Sequence, residues 1–206
     1  MSLTSGTQDV ILDGRSLRRE RNRLAIVQAL LGLYEEGWIE VSASLIVQRA
    51  GLSERSLFRY FDDVDDLYQT ACDTHFEKMS RYGTIVEFAK GSLVDKVEHL
   101  VDQRLRIFKA TRNTAIVARI HAHKIAPVKE QLQRGRELLR EQTRTHFHTE
   151  LQKMSHSHRL AVIAALDVLA SFESLELLRY DQGLSHDETK SVLTFSILKL
   201  FMQERQ

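Results

Sequence analysis

The segment from Ser42 to Leu67 constrains the fold more than any other part of the chain, because two short apolar-periodic stretches meet there at a glycine. Ser42 is a residue type that caps helix N-termini, and Gly51 tolerates the left-handed backbone that follows a helix end. Leu57 and Phe61 lie one helical turn apart beyond that glycine. A helix this short must be buried against its neighbour to be stable. The segment therefore predicts a helix-turn-helix.

The second helix of this segment has polar residues on the faces that Leu57 and Phe61 leave free. Ser53 is expected to cap it. Four aspartates then follow, at positions 62, 63, 65 and 66, and they suit the start of a further helix, with Asp63 as its cap. We expect Arg55, Ser56, Arg59 and Tyr60 to lie away from the buried side.

The segment resembles the N-terminal domain of TetR-type (tetracycline-repressor-like) transcriptional regulators. The resemblance covers about the first third of the chain. It implies a three-helix helix-turn-helix DNA-binding domain, followed by a helical domain for dimerisation and effector binding. The matching residues are Ser42, Ile46 with Val47, Ala50-Gly51-Leu52-Ser53, Leu57-Phe58-Arg59-Tyr60-Phe61 and Val64-Asp65-Asp66-Leu67, with Glu36-Gly37-Trp38 at the expected end of the first helix.

Position by position, the resemblance implies that Ser56, Arg59 and Tyr60 face DNA and that two further serines lie near phosphates. Arg59 is the best candidate for reading a guanine edge. A two-fold dimer would bind an inverted repeat. The complete set of candidate DNA contacts is Arg15, Arg18, Arg19, Ser42, Ser53, Arg55, Ser56, Phe58, Arg59 and Tyr60.

Three residues depart from the family pattern. Phe58 stands where a tyrosine is usual, Ser44 where an arginine is common, and Val64 where a lysine commonly meets the DNA backbone. The four aspartates around Val64 would repel phosphate, and non-specific DNA affinity depends on cations. The departures predict weaker non-specific binding than is usual. They also motivate an alternative, a protein of the same fold that acts mainly through protein contacts.

The first helix is preceded by a polar stretch, residues 1–14, which we expect to be a flexible arm. Arginines crowd the helix start, and two interpretations stay open: a solvated helix face, or added phosphate and minor-groove contacts. The arginines are Arg15, Arg18, Arg19, Arg21 and Arg23, and the predicted buried stripe is Leu24, Val27, Leu31, Tyr34 and Trp38.

The rest of the chain also has helical periodicity, so an all-α fold of about nine helices is expected. We predict a helix-turn-helix domain over residues 15–66 and an effector-binding and dimerisation domain over 67–206. Capping signals occur at Ser92 with Asp95 and at Ser185 with Glu188. A short helix is expected over residues 113–124, and a long one from Pro127 to about Lys153.

Two helices near the end of the chain, over 159–180 and 186–204, are apolar around more of their circumference than one buried side requires. We expect them to form the interface of a homodimer. The alternative is that both are buried within one subunit. The resemblance also implies a small-molecule effector in this domain, and the candidate pocket residues, chosen by residue type, are Phe76, Phe108, His121, Phe147 and Phe172, with core packing as the alternative role.

Composition and motifs argue against other classes of protein. The net charge is +1 and Cys72 is the single cysteine, which excludes an internal disulfide and makes buried packing a better expectation than a redox switch. The sequence has neither a signal peptide nor a membrane-spanning run, so a soluble cytoplasmic protein is expected. Three histidine pairs are spaced two residues apart, which on a helix points their rings in different directions, so no metal or other cofactor is expected. No catalytic motif is recognisable, and an enzyme is not expected.

Overall fold

The computed structural model describes residues 14–202, which fold into ten α-helices and one π-helical turn, with no β-strand in that range. The predicted all-α fold is confirmed. The chain divides into two compact units, one up to Ala71 and one from Cys72 onward, here called the N-terminal and C-terminal units. The predicted flexible arm, apart from Gly14, and residues 203–206 lie outside the described residues.

Four helices begin in the N-terminal unit: α1 (Gly14–Glu35), α2 (Ala43–Arg49), α3 (Glu54–Tyr60) and α4 (Val64–Ser80). Helix α1 ends at a glycine, as the sequence suggests, because Gly37 has a φ of 95°. The Gly37 N–H donates to the Tyr34 carbonyl and the Trp38 N–H donates to the Leu33 carbonyl, both at 3.1 Å. These bonds satisfy carbonyl groups that the end of the helix would otherwise leave unpaired.

The predicted buried stripe of α1 is only partly right. Val27 and Tyr34 are buried, but Leu24 is 40% exposed, and Trp38 is 49% exposed and lies beyond the end of the helix. Leu31 is half-buried. The stripe that is buried has the same helical spacing but a different phase, since it consists of Ile26, Val27, Leu30, Leu33 and Tyr34.

The C-terminal unit contains the second half of α4 and the remaining helices. These are α5 (Leu93–His121), α6 (Ala126–His146), α7 (His148–Leu151), α8 (His156–Leu169), α9 (Phe172–Glu176), the π-helical turn (Leu177–Asp181) and α10 (His186–Phe201). Both predicted capping boxes are present, at the starts of α5 and α10. The core combines residues of these helices with Ile85, and includes Val97, Leu100, Leu105, Phe147, Leu166, Leu193 and Ile197.

Four predictions of helix extent are wrong. No separate helix covers 113–124, because α5 continues to His121. The helix with Pro127 in its first turn ends at His146, and α10 ends at Phe201. The predicted helix over 159–180 is interrupted after Leu169, because the Ser171 side chain accepts the Ser174 N–H at 3.1 Å and starts a new helix.

A polar cluster of the buried Gln103, Arg104 and Thr143 with the half-buried Gln142 links α5 to α6. The Arg104 guanidinium donates to neutral oxygens only: Gln103 Oε1, Gln142 Oε1 at 3.2 Å, the Leu139 carbonyl at 3.0 Å and Thr143 Oγ1 at 2.8 Å. Burial lowers the pKa of Arg104 to about 10, so it stays protonated at neutral pH. Both glutamine side chains also donate to the Gly83 carbonyl, each at 2.6 Å, which holds the connector, residues 81–92 between α4 and α5, against α5 and α6.

Other features bear on the remaining expectations. Cys72 is half-buried, and burial raises its pKa to about 11, so little reactive thiolate forms at neutral pH. No helix within residues 14–202 is long and apolar enough to cross a membrane. The same residues contain no group of three or more histidine, cysteine or acidic side chains placed to hold a metal ion.

Candidate nucleic-acid interface

Helices α2 and α3 are joined by a tight turn of the kind the sequence predicts. The Ser42 hydroxyl accepts the Leu45 N–H at 3.2 Å and caps α2. At the other end, Gly51 has a φ of 69°, and the Leu52 N–H donates to the Val47 carbonyl at 2.8 Å. The left-handed glycine reverses the chain within four residues and allows α3 to pack against α2.

Helix α3 has a sharply divided circumference. Ser56, Leu57 and Tyr60 are buried, as is Phe61 immediately after the helix. The opposite face exposes Glu54, Arg55, Phe58 and Arg59. Because Arg55 lies three and four residues before Phe58 and Arg59, these three side chains share one side of the helix. We call them the α3 outer face.

Two predicted positions on α3 need correction. Ser56 is 8% exposed and Tyr60 is 6% exposed, so the expectation that they lie on its exposed side is wrong. The spacing 56, 57, 60, 61 is that of one buried helical side. The sequence contains this spacing, but serine and tyrosine at two of the four positions suggest exposure rather than burial. Ser53 occupies the cap position without capping, since its hydroxyl lies 3.0 Å from the Ser56 hydroxyl instead.

The Tyr60 hydroxyl links a residue of α1 to a residue of the α3 outer face. It accepts hydrogen bonds from Asn22 Nδ2 at 2.8 Å and from Arg59 Nη2 at 2.6 Å. The hydrogen bond from Asn22, and then that from Arg59, lower the pKa of Tyr60. The Arg59 guanidinium also stacks on the Tyr60 ring, 4.7 Å from its centre. Tyr60 therefore orients the Arg59 side chain by a hydrogen bond and by stacking, a role that the sequence does not indicate.

The arginines at the start of α1 divide into two groups. Arg18 and Arg19 are exposed, as is Arg21. Arg23 instead turns inward, where it donates to the Tyr60 carbonyl at 2.7 Å and pairs with Asp66. Arg15 begins the helix, and its side chain lies outside the described residues. The exposed members of this group add positive charge to the N-terminal unit.

The acidic segment is partly neutralised within the fold. Asp63 Oδ1 accepts the Asp66 N–H at 2.7 Å, so Asp63 caps α4 as expected. The hydrogen bond from Arg23 holds the pKa of Asp66 below its usual value. Asp62 and Asp65 remain exposed, beside the equally exposed Val64.

The five candidate pocket residues of the C-terminal unit are not brought together as one lining. Phe147 is fully buried and contacts Phe201, with ring centres 4.9 Å apart. Phe108 is also buried and packs against Phe172 at 5.3 Å. Phe76 lies under the Arg134 guanidinium at 4.8 Å, and His121 is half-buried at the end of α5. A shallow groove in this unit has a different lining: Glu98, Asp187, Lys190, Ser191, Thr194, Phe195 and Leu198.

Solved structures with a similar fold are transcriptional regulators. A protein from Rhodococcus sp. assigned to the TetR family of transcriptional regulators is 15% identical, with a TM-score of 0.66 over 89% of this chain and 100% of that chain. A transcriptional regulator from Rhodococcus sp. Rha1 is 15% identical, with a TM-score of 0.63 over 88% and 95% of the two chains. The fatty acid degradation regulator FadR from Bacillus halodurans is 19% identical, with a TM-score of 0.53 over 92% and 97%.

The sequence matches no protein-family model and no curated protein sequence. The structural likenesses show the fold at low sequence identity. The chain therefore has the all-α fold of TetR-family transcriptional regulators, as the resemblance of its helix-turn-helix segment implied.

Proposed function

We propose that this protein is a DNA-binding transcriptional regulator that inserts α3 into the major groove. The observation that carries the proposal is the α3 outer face, on which Arg55, Phe58 and Arg59 are exposed on the second helix of a helix-turn-helix. In this motif the second helix enters the major groove, and the arginines could donate to guanine O6 and N7. The structural neighbours, which are transcriptional regulators, support the same class.

The two arginines of the outer face differ in what DNA binding requires of them. Arg55 makes no hydrogen bond or ion pair with residues 14–202, so it can contact DNA without breaking an existing bond. Arg59 must either leave the Tyr60 hydroxyl or use its remaining N–H groups. Since its guanidinium is stacked on Tyr60, the side chain is already ordered, and its entropic cost on binding is reduced.

The proposal is tested by fluorescence anisotropy with DNA from upstream of the protein's own gene, in a salt series. We expect saturable, competitor-resistant binding. Arg59→Ala and Arg55→Ala should each weaken it by about 5- to 100-fold, the range of one bidentate base contact. Arg144→Ala, which removes an exposed arginine of the C-terminal unit, serves as the control and should leave affinity unchanged. Absence of binding at low salt would overturn the proposal.

A homodimer is the proposed functional state, because seven large apolar side chains remain exposed on the last helices. They are Leu160 and Val168 on α8, Leu177 and Tyr180 on the π-helical turn, Val192 and Phe195 on α10, and Met202. A second copy of the same surface would cover them. Two recognition helices would then read an inverted repeat with half-sites about one turn apart.

The dimer is tested by sedimentation equilibrium of Phe195→Glu and Val168→Glu, at positions 63% and 64% exposed. Both variants should sediment as monomers at concentrations where the unmodified protein is dimeric. Leu138→Glu, at an apolar position of α6 that is 49% exposed, is the matched control and should stay dimeric. Monomeric unmodified protein at micromolar concentration would contradict the proposal.

We further propose that the protein is a repressor released by a small molecule bound in the C-terminal unit. The ligand needs only to favour the non-binding conformation by a few kcal/mol. Of the five candidate residues, Phe76, His121 and Phe172 are half-buried, whereas Phe108 and Phe147 are buried in the core. A compound screen for release of labelled operator tests this, with Phe172→Ala expected to shift the releasing concentration.

A second candidate function is regulation mainly through protein contacts, and the exposed Asp62 and Asp65 favour it. These carboxylates would weaken attraction to phosphate. The anisotropy experiment separates the two functions. Failure to bind any duplex at low salt, with a folded dimer present, would favour the second candidate.

A further inference from the structure

Phe58 is the most exposed large apolar side chain of residues 14–202, at 77%. It lies in the middle of the α3 outer face, with Arg55 one turn before it and Arg59 directly after it. The buried side of α3 already has Leu57 and Phe61, so Phe58 contributes nothing to the core of the N-terminal unit. A phenyl ring in water between two guanidinium groups gains free energy only when a partner covers it.

A partner for this ring must offer an apolar surface within reach of a helix that also presents two cations. In the major groove of DNA, the C5 methyl of thymine is the apolar group among the donors and acceptors of the base edges, and phenylalanine packs on it. Because the phenyl ring has no hydroxyl, it cannot donate a hydrogen bond to phosphate as a tyrosine at this position could. The ring is therefore suited to a base and not to the phosphate backbone.

We propose that Phe58 is a specificity-determining residue that packs on the C5 methyl of one thymine in each operator half-site. This inference rests on the proposed function, since it requires α3 to occupy the major groove. Arg55 and Arg59 would bracket that thymine with contacts to guanine or phosphate on either side. The protein would then select a thymine by apolar contact, at a position flanked by positions that its arginines select by hydrogen bonding.

The experiment removes the methyl group from DNA and the ring from the protein. An operator is first obtained by selection from random duplexes with the unmodified protein, and each thymine is then replaced in turn by deoxyuridine. Base pairing is kept while one methyl group is lost. At one thymine per half-site we expect affinity to fall about fourfold, and about 15-fold when both half-sites are changed, the amount that one buried methyl group contributes at each site.

The same operators are then measured with Phe58→Ala, which is expected to fold normally because the ring is exposed. This variant should bind the thymine and deoxyuridine operators equally well. Leu24→Ala, another exposed apolar position of the N-terminal unit, should keep the fourfold difference and serves as the matched control. Phe58→Leu, which keeps an apolar surface, should retain part of it.

The outcomes distinguish the inference from the proposed function. If the unmodified protein selects no DNA sequence, the proposed function and this inference fail together. If it selects an operator but no thymine is sensitive to loss of its methyl group, the inference alone is wrong, and the ring contacts sugar or another group. The same conclusion follows if Phe58→Ala retains the full sensitivity to deoxyuridine.

Discussion

The Arg23 guanidinium forms a bidentate ion pair with the Asp66 carboxylate, with Nη2 at 2.5 Å from Oδ1 and Nη1 at 3.1 Å from Oδ2. Arg23 also donates to the Tyr60 carbonyl at 2.7 Å and to Thr70 Oγ1 at 2.8 Å, and it stacks on the Phe61 ring at 4.4 Å. One side chain of α1 thus joins the end of α3 to the start of α4. These contacts help to fix the end of α3 against α1 and α4.

Replacing this arginine should destabilise the N-terminal unit. Arg23→Ala leaves the Tyr60 carbonyl and a partly buried carboxylate without their donor, so we expect a loss of about 2 kcal/mol in the free energy of unfolding. Urea denaturation followed by circular dichroism measures it. Arg19→Ala, at an exposed position of the same helix, is the control and should change stability by less than about 0.5 kcal/mol.

The pH dependence of this loss follows from Asp66. The pKa of Asp66 is lowered in the folded protein, so the ion pair stabilises the fold above the unfolded value of about 3.9 and is lost as pH falls below it. The stability difference between the unmodified protein and Arg23→Ala should therefore shrink in acid. A difference that stayed constant to pH 2 would show that the carboxylate contributes little.

The structural roles that could be predicted from the sequence are those that nearby residues determine, such as helix caps and glycine turns. Gly37, Gly51 and Gly183 all have positive φ at helix ends, and both capping boxes lie where serine and an acid three residues on predict them. Tyr60 was misplaced because its residue type suggested exposure, whereas its burial is set by its position beside Phe61. The inward turn of Arg23 depends on Asp66, 43 residues away, and no local pattern could show it.

Charge reversal in the acidic segment should strengthen DNA binding. Asp62 and Asp65 are exposed near the start of α4, and lysines there would gain contacts with phosphate. We expect Asp62→Lys with Asp65→Lys to tighten binding at least tenfold at low salt. Since each new phosphate contact adds about 0.9 to the slope of log affinity against log salt, the slope should steepen by one to two.

The control for this charge reversal is Glu130→Lys with Glu137→Lys on α6, which makes the same change of charge at two exposed positions of the C-terminal unit. It should leave the salt slope unchanged. Equal tightening by both changes would mean that overall charge, and not the placement of the acidic segment against phosphate, determines the affinity. Anisotropy titrations at four or five salt concentrations distinguish these results.

The buried Arg104 should resist even conservative replacement. Its planar guanidinium reaches four neutral oxygens in the polar cluster between α5 and α6, and a single ammonium group cannot match that geometry. We expect Arg104→Lys to lower the free energy of unfolding by about 2–3 kcal/mol, since buried acceptors lose their donors. Arg144→Lys, at an exposed position, should be nearly neutral by the same urea assay.

His146 is buried in a setting that suits only its neutral form. Its Nδ1 accepts the Ala89 N–H at 3.0 Å, so the proton must be on Nε2, which donates to the Lys96 carbonyl at 2.9 Å. Burial lowers the pKa of His146, as do, to a smaller extent, the charges of Lys96 and His99, while the hydrogen bond to the Lys96 carbonyl and the charge of Glu150 oppose this shift. Protonation would place a donor against the Ala89 N–H and break the link from α6 to the connector before α5.

The sign of the resulting pH dependence is fixed by that lowered pKa. Between the folded pKa of His146 and the unfolded value of about 6.5, the unfolded chain binds more protons, so the free energy of unfolding should fall as the pH drops below about 6.5. His146→Gln should remove this slope, while His148→Gln, an exposed neighbour two residues on, should retain it. Urea midpoints between pH 5 and 7.5 measure the effect. An unchanged slope in His146→Gln would assign the acid sensitivity to another group, because glutamine does not titrate.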